Sequence, residues 1–281
     1  MKPASASPDR YAVIGDPVEH SLSPHIHAVF AASAGQRMTY GRERVRAGEL
    51  AAWIEAFGAG GGRGCNVTLP LKEEALAAVD RVSARARSAG AANTLWRDVA
   101  GHWCADNTDG IGLLRDLTVN LGWRIAGSRV LLLGAGGAAR GVIGPLLDAG
   151  VANIDILNRT PARAQAVVRA FPRAGSRLAV LVPDQSLPAP VDLVLNATSA
   201  GLSGALPEWP PGLFSSDRRP RCYDLLYGQK GEVWQTAARA AGALAVSDGL
   251  GMLVEQAAAA FWLWRGLWPD TARVLAELRA G

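Results

Sequence analysis

Apolar runs and glycine-rich turns alternate along this chain, which predicts parallel strands joined by helices. The run Val130–Leu133 is entirely apolar and passes directly into glycines at positions 134, 136 and 137. A second, mostly apolar run, Asn153–Leu157, follows after a stretch with helical spacing. Apolar runs of this kind are typical of strands buried on both faces, as the strands of parallel sheets are. The middle of the chain therefore predicts a strand, a glycine turn, a helix and a second parallel strand.

The residues before this turn also alternate between strand and helix patterns. Predicted strands lie at residues 11–15, 38–45, 65–67, 93–96 and 102–105. Predicted helices lie at residues 23–34, 48–57 and 71–79. Ser23 is the predicted N-cap of the first helix, with Pro24 in its first turn. Alternation of this kind implies an α/β fold.

The pattern after the turn predicts a second domain and a C-terminal return. Further strands are predicted at residues 191–195 and 222–226, and two helices at 251–264 and 270–280 end the chain. These helices have no further predicted strand beside them, so we expect them to pack on the first domain. The predicted domains are residues 1–108, a Rossmann domain at 109–247, and C-terminal helices at 248–281 that return to the first domain.

Composition is that of a globular protein and limits the partners. Hydrophobic residues make up 49% and charged residues 19% of the 281 residues, which is enough for a sizeable core. The net charge of +4 comes from scattered arginines, so we expect no nucleic-acid partner. An anionic small molecule would suit this charge.

Cysteine usage and hydropathy indicate a cytoplasmic protein. Cys65, Cys104 and Cys222 lack the spacing of a metal or redox motif. The first ten residues lack the apolar core of a signal peptide. Charged and polar residues interrupt the apolar stretch Leu250–Trp268, so we expect no membrane span.

The glycine turn has the form in which a Rossmann domain holds a dinucleotide. Gly134 would permit the tight turn, Gly136 would let backbone approach phosphate, and Ala139 would let the helix pack closely on the strand. The amides of the helix N-terminus would then face the pyrophosphate. The predicted cofactor contacts in this turn are Gly134, Ala135, Gly136, Gly137, Ala138 and Ala139.

The end of the second strand favours NADP over NAD. An NAD site usually carries Asp or Glu roughly 20 residues past the glycines, where it binds the ribose 2′-hydroxyl. This chain has Asn158 there, followed by Arg159 and Arg163, and arginine can bind a 2′-phosphate bidentately. The alternative is that Thr160 caps a helix beginning at Pro161 and that both arginines are only solvated.

Two segments carry side chains suited to proton transfer. Lys72 ends the segment 66–72, which follows a short strand, and loops at the carboxyl ends of parallel strands form the ligand sites of α/β proteins. Asp109 lies in the segment 106–110, and a carboxylate beside a lysine would hold that lysine cationic. The alternatives are a surface lysine on a helix's first turn, and a capping role for Thr108 or Asp109.

Ser21 and Ser23 place two hydroxyls near a predicted helix N-terminus, an arrangement that suits a carboxylate. The alternative is ordinary capping by Ser23. His25 and His27 lie nearby, but residues two apart point to different sides of a helix, and no second cluster supplies further ligands. We therefore expect no metal site.

Together these segments resemble the shikimate dehydrogenase family over nearly the whole chain, from about Tyr11 to the last helix. In this family the catalytic domain precedes the glycine turn, which distinguishes it from other Rossmann proteins. Eight motifs occur in the family's order and at family-like spacing, at residues 15–24, 64–72, 90–94, 106–110, 134–140, 158–160, 196–199 and 248–252.

The resemblance implies the NADPH-dependent, reversible reduction of 3-dehydroshikimate to shikimate, the fourth step of the shikimate pathway to aromatic amino acids. Lys72 would protonate the developing alkoxide at C3, and Asp109 would orient Lys72 and bind substrate hydroxyls. Closure of a cleft between the two domains would exclude water from the transferring hydride.

The resemblance also implies the remaining contacts. Ser21, Ser23 and Tyr227 would lie at the substrate carboxylate. The side chains that would hold its hydroxyls are Thr68, Asn93 and Gln256, together with Asp109. The implied cofactor contacts outside the glycine turn are Asn158, Arg159, Thr160, Arg163, Thr198, Leu225 and Gly249.

Two positions depart from the family pattern. Ala139 replaces a frequent serine, a change that Rossmann turns accept. Glu232 stands five residues after Tyr227, where the family usually has threonine. The sequence leaves a homodimer open.

Three other functions remain as alternatives. A quinate/shikimate dehydrogenase often uses NAD, and Asn158 to Thr160 and Ser23 argue against it. A non-catalytic relative would not need both Lys72 and Asp109. Another NADP dehydrogenase, such as a methylene-tetrahydrofolate type, shares the domain order but would not need the two-serine site.

Overall fold

The computed structural model of the protein describes residues 7–182, 185, 187–215 and 219–280. These residues fold as two compact units. The first unit contains the described residues up to Thr108 and those from Gln256 onward, and the second is Asp109–Glu255. Among the described helices, none is long and apolar enough to cross a membrane.

Strands and helices alternate through both units. The described strands are β1 (Asp9–Gly15), β2 (Met38–Arg44), β3 (Gly62–Val67), β4 (Arg81–Val82), β5 (Thr94–Arg97), β6 (Trp103–Asp106), β7 (Arg129–Leu133), β8 (Asn153–Leu157), β9 (Leu178–Leu181), β10 (Leu193–Asn196), β11 (Arg221–Asp224) and β12 (Ala245–Ser247). The described α-helices are α1 (Ser23–Ser33), α2 (Leu50–Ala59), α3 (Ala84–Ala89), α4 (Asp109–Arg115), α5 (Gly137–Asp148), α6 (Pro161–Ala170), α7 (Gln229–Ala240), α8 (Leu250–Arg265) and α9 (Thr271–Ala280). A π-helical turn, Asp116–Asn120, extends α4.

The first unit is built on a sheet whose strand order is β2-β1-β3-β5-β6-β4. β5 runs antiparallel to β3 and β6, whereas the other pairs are parallel. Because β5 is reversed, its amino end lies at the same sheet edge as the carboxyl ends of β1, β3 and β6. Loops from four strands therefore meet along one edge.

Side chains of the first sheet alternate between two packed faces. On one face Ile14, Val67 and Leu95 join α2 and α3 in a buried core. On the other, Tyr11 stacks on Trp264 of α8, with 4.6 Å between ring centroids. Both faces are covered, so the sheet is rigid and its loops have a fixed support.

The second unit contains a fully parallel sheet with the order β9-β8-β7-β10-β11-β12. Numbered within the unit this is 3-2-1-4-5-6, the Rossmann order, so the predicted α/β class and Rossmann fold are confirmed. Val130 and Leu132 pack on one face, and Leu131 and Leu133 on the other. This two-sided burial explains why the sequence of β7 is continuously apolar.

The prediction of a helix at residues 71–79 was wrong. Only a short 3-10 turn, Glu74–Leu76, forms there. The Lys72 carbonyl accepts the Ala92 N–H (2.7 Å), and the Leu76 N–H turns to the Glu73 carbonyl (3.3 Å). A long-range bond therefore takes the acceptor that an α-helix would have used at position 72.

A buried carboxylate holds the start of α8 in the second unit. Asp116 is fully buried and accepts the Tyr223 hydroxyl (2.6 Å) and the Asn120 amide (2.9 Å). The Tyr223 oxygen in turn accepts the Met252 N–H (3.3 Å). Burial, together with the neighbouring Asp116 charge, raises the pKa of Tyr223. The hydroxyl therefore stays protonated and bridges β11, the π-helical turn and α8.

We predict that Tyr223→Phe lowers the free energy of unfolding by about 1–3 kcal/mol, because a buried carboxylate loses a donor. Urea unfolding checks this value. Ser33→Ala, which removes an exposed hydroxyl bonded to the Phe30 carbonyl, is the control and should change stability by less than about 0.5 kcal/mol. Equal stability of Tyr223→Phe and the wild type would contradict the bridging role.

Candidate active site

The glycine turn of the second unit leaves open space in front of α5. Gly134 has φ of 105°, and its N–H donates to the Leu157 carbonyl (2.8 Å). A Cβ at Gly134 would lie 3.0 Å from the Ala197 carbonyl oxygen, so this position must remain small. A Cβ at Gly136 would meet no described atom within 4 Å. Gly136 is the N-cap residue of α5, so this open position lies at the helix N-terminus, which is where Rossmann domains hold a pyrophosphate.

The loops after β10 and β11 are joined by a buried amide and a buried carboxylate. Asn196 Nδ2 donates to Asp224 Oδ1 (3.1 Å), and Asn196 Oδ1 accepts the Thr198 hydroxyl (2.7 Å). The Leu225 N–H donates to the Asn196 carbonyl (2.9 Å). The strand order reverses between β7 and β10, so the loop after β10 lies at the point where α/β sheets bind ligands, and the loop after β11 lies beside it.

Gly249 lies directly against the loop after β11. A Cβ there would clash with the Leu225 carbonyl, and the Gly249 N–H donates to the Leu226 carbonyl (3.0 Å). The second unit thus brings together three predicted cofactor residues, Thr198, Leu225 and Gly249.

The segment after β8 presents two exposed arginines. Thr160 occupies the N-cap position of α6 and Pro161 starts the helix, but the Thr160 hydroxyl makes no capping bond. Within the described part of the chain, Arg159 and Arg163 form no ion pair, and both are exposed. Asn158 Nδ2 donates to the Thr160 carbonyl (2.9 Å), which shapes the turn. Two available cations and no carboxylate suit a 2′-phosphate.

In the first unit, the predicted capping role of Ser23 was wrong. Leu22 occupies the N-cap position of α1, and Ser23 is the buried first residue of the helix. Ser21 Oγ accepts the Ser23 N–H (3.3 Å) and donates to Ser23 Oγ (3.1 Å). Ser21 therefore acts as the cap from one residue earlier, and both hydroxyls lie at the N-terminus of α1.

The histidines near these serines belong to the core or to the surface. His27 is fully buried and stacks on Tyr40, with 4.2 Å between ring centroids. Burial lowers the pKa of His27 to about 3, so the ring is neutral. His25 is exposed. Among the described residues, no group of three or more His, Cys, Asp or Glu side chains is placed to hold a metal ion.

Asn93, at the amino end of β5, joins three segments of the first unit. Its Oδ1 accepts the N–H (2.8 Å) and the hydroxyl (3.1 Å) of Thr108. Its Nδ2 donates to Gln256 Oε1 of α8 (3.2 Å). All three side chains are buried. The predicted substrate residues Asn93 and Gln256 are therefore in direct contact.

Asn66 and Tyr40 extend this network, and sequence reasoning gave neither a role. Asn66 Nδ2 donates to the Asn93 carbonyl and to Thr94 Oγ1, both at 3.2 Å. The Tyr40 hydroxyl donates to Asn66 Oδ1 (2.7 Å). Asn66 lies in the motif at residues 64–72, which could have indicated its role. Tyr40 lies in an ordinary strand pattern, which gives no such indication.

Asp106 anchors the loop that leads to Asp109. Its Oδ1 accepts the Ser83 hydroxyl (2.6 Å) and the Asn107 N–H (2.7 Å), and Arg85 binds both carboxylate oxygens. The next residue, Asn107, donates its side-chain amide to the Ala91 carbonyl (3.0 Å). Each residue from 106 to 108 is thus held before the chain reaches Asp109, the buried first residue of α4.

One edge of the first sheet collects the predicted substrate residues of that unit. Ser21 and Ser23 follow β1, Thr68 and the half-buried Lys72 follow β3, and Asn93 precedes β5. Gln256 joins them through Asn93. Asp109 and Tyr227 lie in the second unit with the predicted cofactor residues. Tyr227 is half-buried, and burial raises the pKa of its hydroxyl.

We predict a pH-dependent stability that originates at Asp224. Burial, with the charge of Asp248, raises the pKa of Asp224 to about 7. An acid whose pKa is higher in the folded than in the unfolded state destabilises the fold as the pH rises from about 4 to 7. The wild type should lose up to about 1.4 kcal/mol of unfolding free energy per pH unit over this window, and Asp224→Asn should remove this loss.

Urea unfolding of both proteins at several pH values checks this prediction. The wild type should lose stability relative to Asp224→Asn as the pH rises, and the difference should level off above neutrality. Parallel profiles for the two proteins would show that Asp224 titrates normally.

Known protein families match the chain along most of its length. The shikimate dehydrogenase substrate binding domain matches residues 13–95, and the shikimate / quinate 5-dehydrogenase model matches residues 117–203. The shikimate 5'-dehydrogenase C-terminal domain matches residues 249–279. The matches follow one another in the order of the fold.

Individual relatives agree with these families. The shikimate dehydrogenase (NADP(+)) of Alkalilimnicola ehrlichii is 50% identical, over 96% of this chain and 98% of the relative. The Thermus thermophilus shikimate 5-dehydrogenase, solved in complex with NADP(H) and shikimate, is 35% identical with a TM-score of 0.82, over 97% and 99% of the two chains. The ligand-free 5-ketofructose reductase of Gluconobacter sp. strain CHM43 is 28% identical with a TM-score of 0.84, over 98% and 99%.

These likenesses confirm the predicted family, the oxidoreductase class and the NADP cofactor. They also agree with the two arginines after β8, which suit a 2′-phosphate. The chain belongs to the shikimate dehydrogenase family.

Proposed function

We propose that this chain carries out its family's reaction, the reversible NADPH-dependent reduction of 3-dehydroshikimate to shikimate, with Lys72 and Asp109 as the catalytic pair. The observation that carries the proposal is the edge of the first sheet. There two hydroxyls at a helix N-terminus, an amide network and a half-buried lysine come from loops at neighbouring strand ends. An acid that carries a ketone and two hydroxyls needs groups of these types.

The side chains of this edge divide by chemistry. Ser21 and Ser23 offer hydroxyl donors to a carboxylate, and the N-terminus of α1 adds a favourable field. Asn93, Gln256 and Thr68 offer short donors and acceptors to substrate hydroxyls. Because unpaired buried polar groups are costly, such a site rejects analogues that lack a hydroxyl. We assign Tyr227 to the carboxylate side.

In the reaction, the carbonyl carbon of the substrate would receive a hydride from NADPH held by the second unit. The electron pair of the C=O double bond then moves onto oxygen, and the Lys72 ammonium donates a proton to that oxygen as charge develops. The products are the alcohol and neutral Lys72, which regains a proton from solvent. We assign Asp109 the role of keeping Lys72 cationic beforehand and of binding substrate hydroxyls.

We assign different parts of the cofactor to different residues of the second unit. The open space at Gly136 and the first amides of α5 would hold the pyrophosphate. Arg159 and Arg163 would bind the 2′-phosphate, with Asn158 and Thr160 shaping the turn. Thr198, Leu225 and Gly249 would lie at the nicotinamide, where the buried Asn196–Asp224 pair supports their loops. A homodimer and a cytoplasmic location stay predictions from the sequence.

We predict rapid NADPH oxidation at about 340 nm with 3-dehydroshikimate and a loss of about 10²–10⁴-fold in kcat for Lys72→Ala, because a positioned general acid contributes that much. Lys230→Ala, an exposed lysine on α7, is the matched control and should retain wild-type turnover. Both variants should bind NADPH normally.

Parallel assays with NADH and 3-dehydroquinate separate the alternatives. Comparable turnover with that pair would assign the chain to the quinate-using group. Binding of NADPH with no turnover on either substrate would favour a non-catalytic relative. Unchanged kcat in Lys72→Ala would exclude Lys72 as the proton donor.

We predict that Arg159→Ala weakens NADPH binding about 10–100-fold and leaves NADH binding nearly unchanged, because charge-assisted hydrogen bonds to a 2′-phosphate contribute about 1.5–3 kcal/mol. Fluorescence titration of each cofactor measures the two Kd values. Arg169→Ala, in the last turn of α6, is the control. An equal loss for both cofactors would mean that Arg159 does not recognise the 2′-phosphate.

A further inference from the structure

Arg42 of β2 forms two hydrogen bonds to the loop that carries the two serines. Its Nε and Nη2 both donate to the Ser21 carbonyl, at 3.0 and 2.7 Å. The Ser21 N–H donates to the Val18 carbonyl (3.1 Å), and its hydroxyl donates to Ser23. Every polar group of Ser21 therefore has a partner, and Arg42 supplies the one bidentate contact.

Arg42 differs from the neighbouring arginines in its ion pairing. Arg44, two residues further along β2 on the same face, binds Asp16 at 2.8 Å, and Arg10 lies 3.9 Å from Glu43. In the described part of the chain, no carboxylate lies within ion-pair distance of Arg42. Its positive charge is thus not balanced locally, whereas that of Arg44 is.

This charge acts toward the interior of the site as well as toward solvent. Tyr40 precedes Arg42 by two residues on β2, so both side chains lie on one face of the strand. Burial raises the pKa of Tyr40, and the Arg42 charge opposes that rise. The Tyr40 hydroxyl belongs to the Asn66 network behind the serine loop. Because two Arg42 nitrogens lie within 3.0 Å of the Ser21 carbonyl, the Arg42 charge lies beside the serine loop to which we assign the substrate carboxylate.

We propose that Arg42 is a specificity-determining residue that favours carboxylate substrates over neutral ones. Its two bonds to the Ser21 carbonyl hold its unbalanced positive charge beside the serine loop, and this charge distinguishes an acid from a neutral substrate. The inference rests on the proposed function, since it assumes that the loop binds the substrate acid.

The expected effect is moderate and depends on salt. Arg42 is exposed, so its field is screened over about 10 Å at 0.1 M ionic strength. Charges near a surface interact by on the order of 1 kcal/mol, which corresponds to about five-fold in affinity. Removing the charge should therefore weaken acid binding about five-fold at low salt and less at high salt.

The test compares Arg42→Gln, Arg42→Lys and Arg37→Gln. The first removes the charge, the second keeps it without the bidentate fork, and the third removes an exposed charge about 16 Å away along the strand, beyond the screening length. Calorimetry measures the Kd of shikimate and of its neutral methyl ester at about 0.1 and 1 M ionic strength, where charges are screened over about 10 and 3 Å. Steady-state assays give kcat and KM, and thermal melting confirms that each variant folds.

The proposal predicts that Arg42→Gln raises the Kd and KM for the acid about five-fold at low salt, flattens their salt dependence, and leaves kcat and the ester Kd nearly unchanged. Arg42→Lys should retain the salt dependence, and Arg37→Gln should match the wild type. A structural effect would weaken acid and ester alike.

Two results would overturn the proposal: unchanged acid affinity in Arg42→Gln, or an equal loss for acid and ester. Both are read on a wild type that turns over 3-dehydroshikimate. A wild type that neither binds shikimate nor turns over would instead contradict the proposed function itself.

Discussion

The side-chain amide of Asn93 is the interaction on which the first unit's site depends. It accepts two bonds from Thr108 and donates one to Gln256, so it joins the start of β5, the loop after β6 and helix α8. Asn93 is buried, and a buried amide left without partners costs about 1–3 kcal/mol per group. The three segments are therefore bound together or all disturbed together, and a fully satisfied network of this kind selects one arrangement.

The second unit uses the same physical device. Asn196 joins the loops after β10 and β11 by donating to Asp224 and accepting from Thr198. In both units a buried asparagine lies at the ligand edge of a sheet and holds the loops that carry the proposed contacts. Loops that bind small molecules need such support, because binding and catalysis require the site residues to be held close to one productive geometry. Arg42, which is exposed, supports the loop that carries Ser21, and the buried Asp106 supports the loop that carries Asn107.

Local patterns predicted most of the fold, and they were wrong where distant residues intervened. The apolar runs of β7 and β8 and the glycine turn between them gave the Rossmann unit, since both faces of those strands are buried. The predicted helix at residues 71–79 was wrong because the Ala92 N–H, from a distant segment, donates to the Lys72 carbonyl. The predicted Ser23 cap was wrong because the Ser21 hydroxyl oxygen accepts the Ser23 N–H. Strands β9 and β12 carried no pattern strong enough to predict, because both are short edge strands.

The amino-acid sequence by itself determined the fold class, the family and the residue types of the site, because strand burial, glycine turns and motif order are all written in local spacing. Only the tertiary structure decided that Asn93 contacts Gln256, that Arg85 holds Asp106, and that Arg42 grips Ser21. Each of these contacts joins residues at least about twenty positions apart, and its energy depends on burial and direction that no local pattern contains.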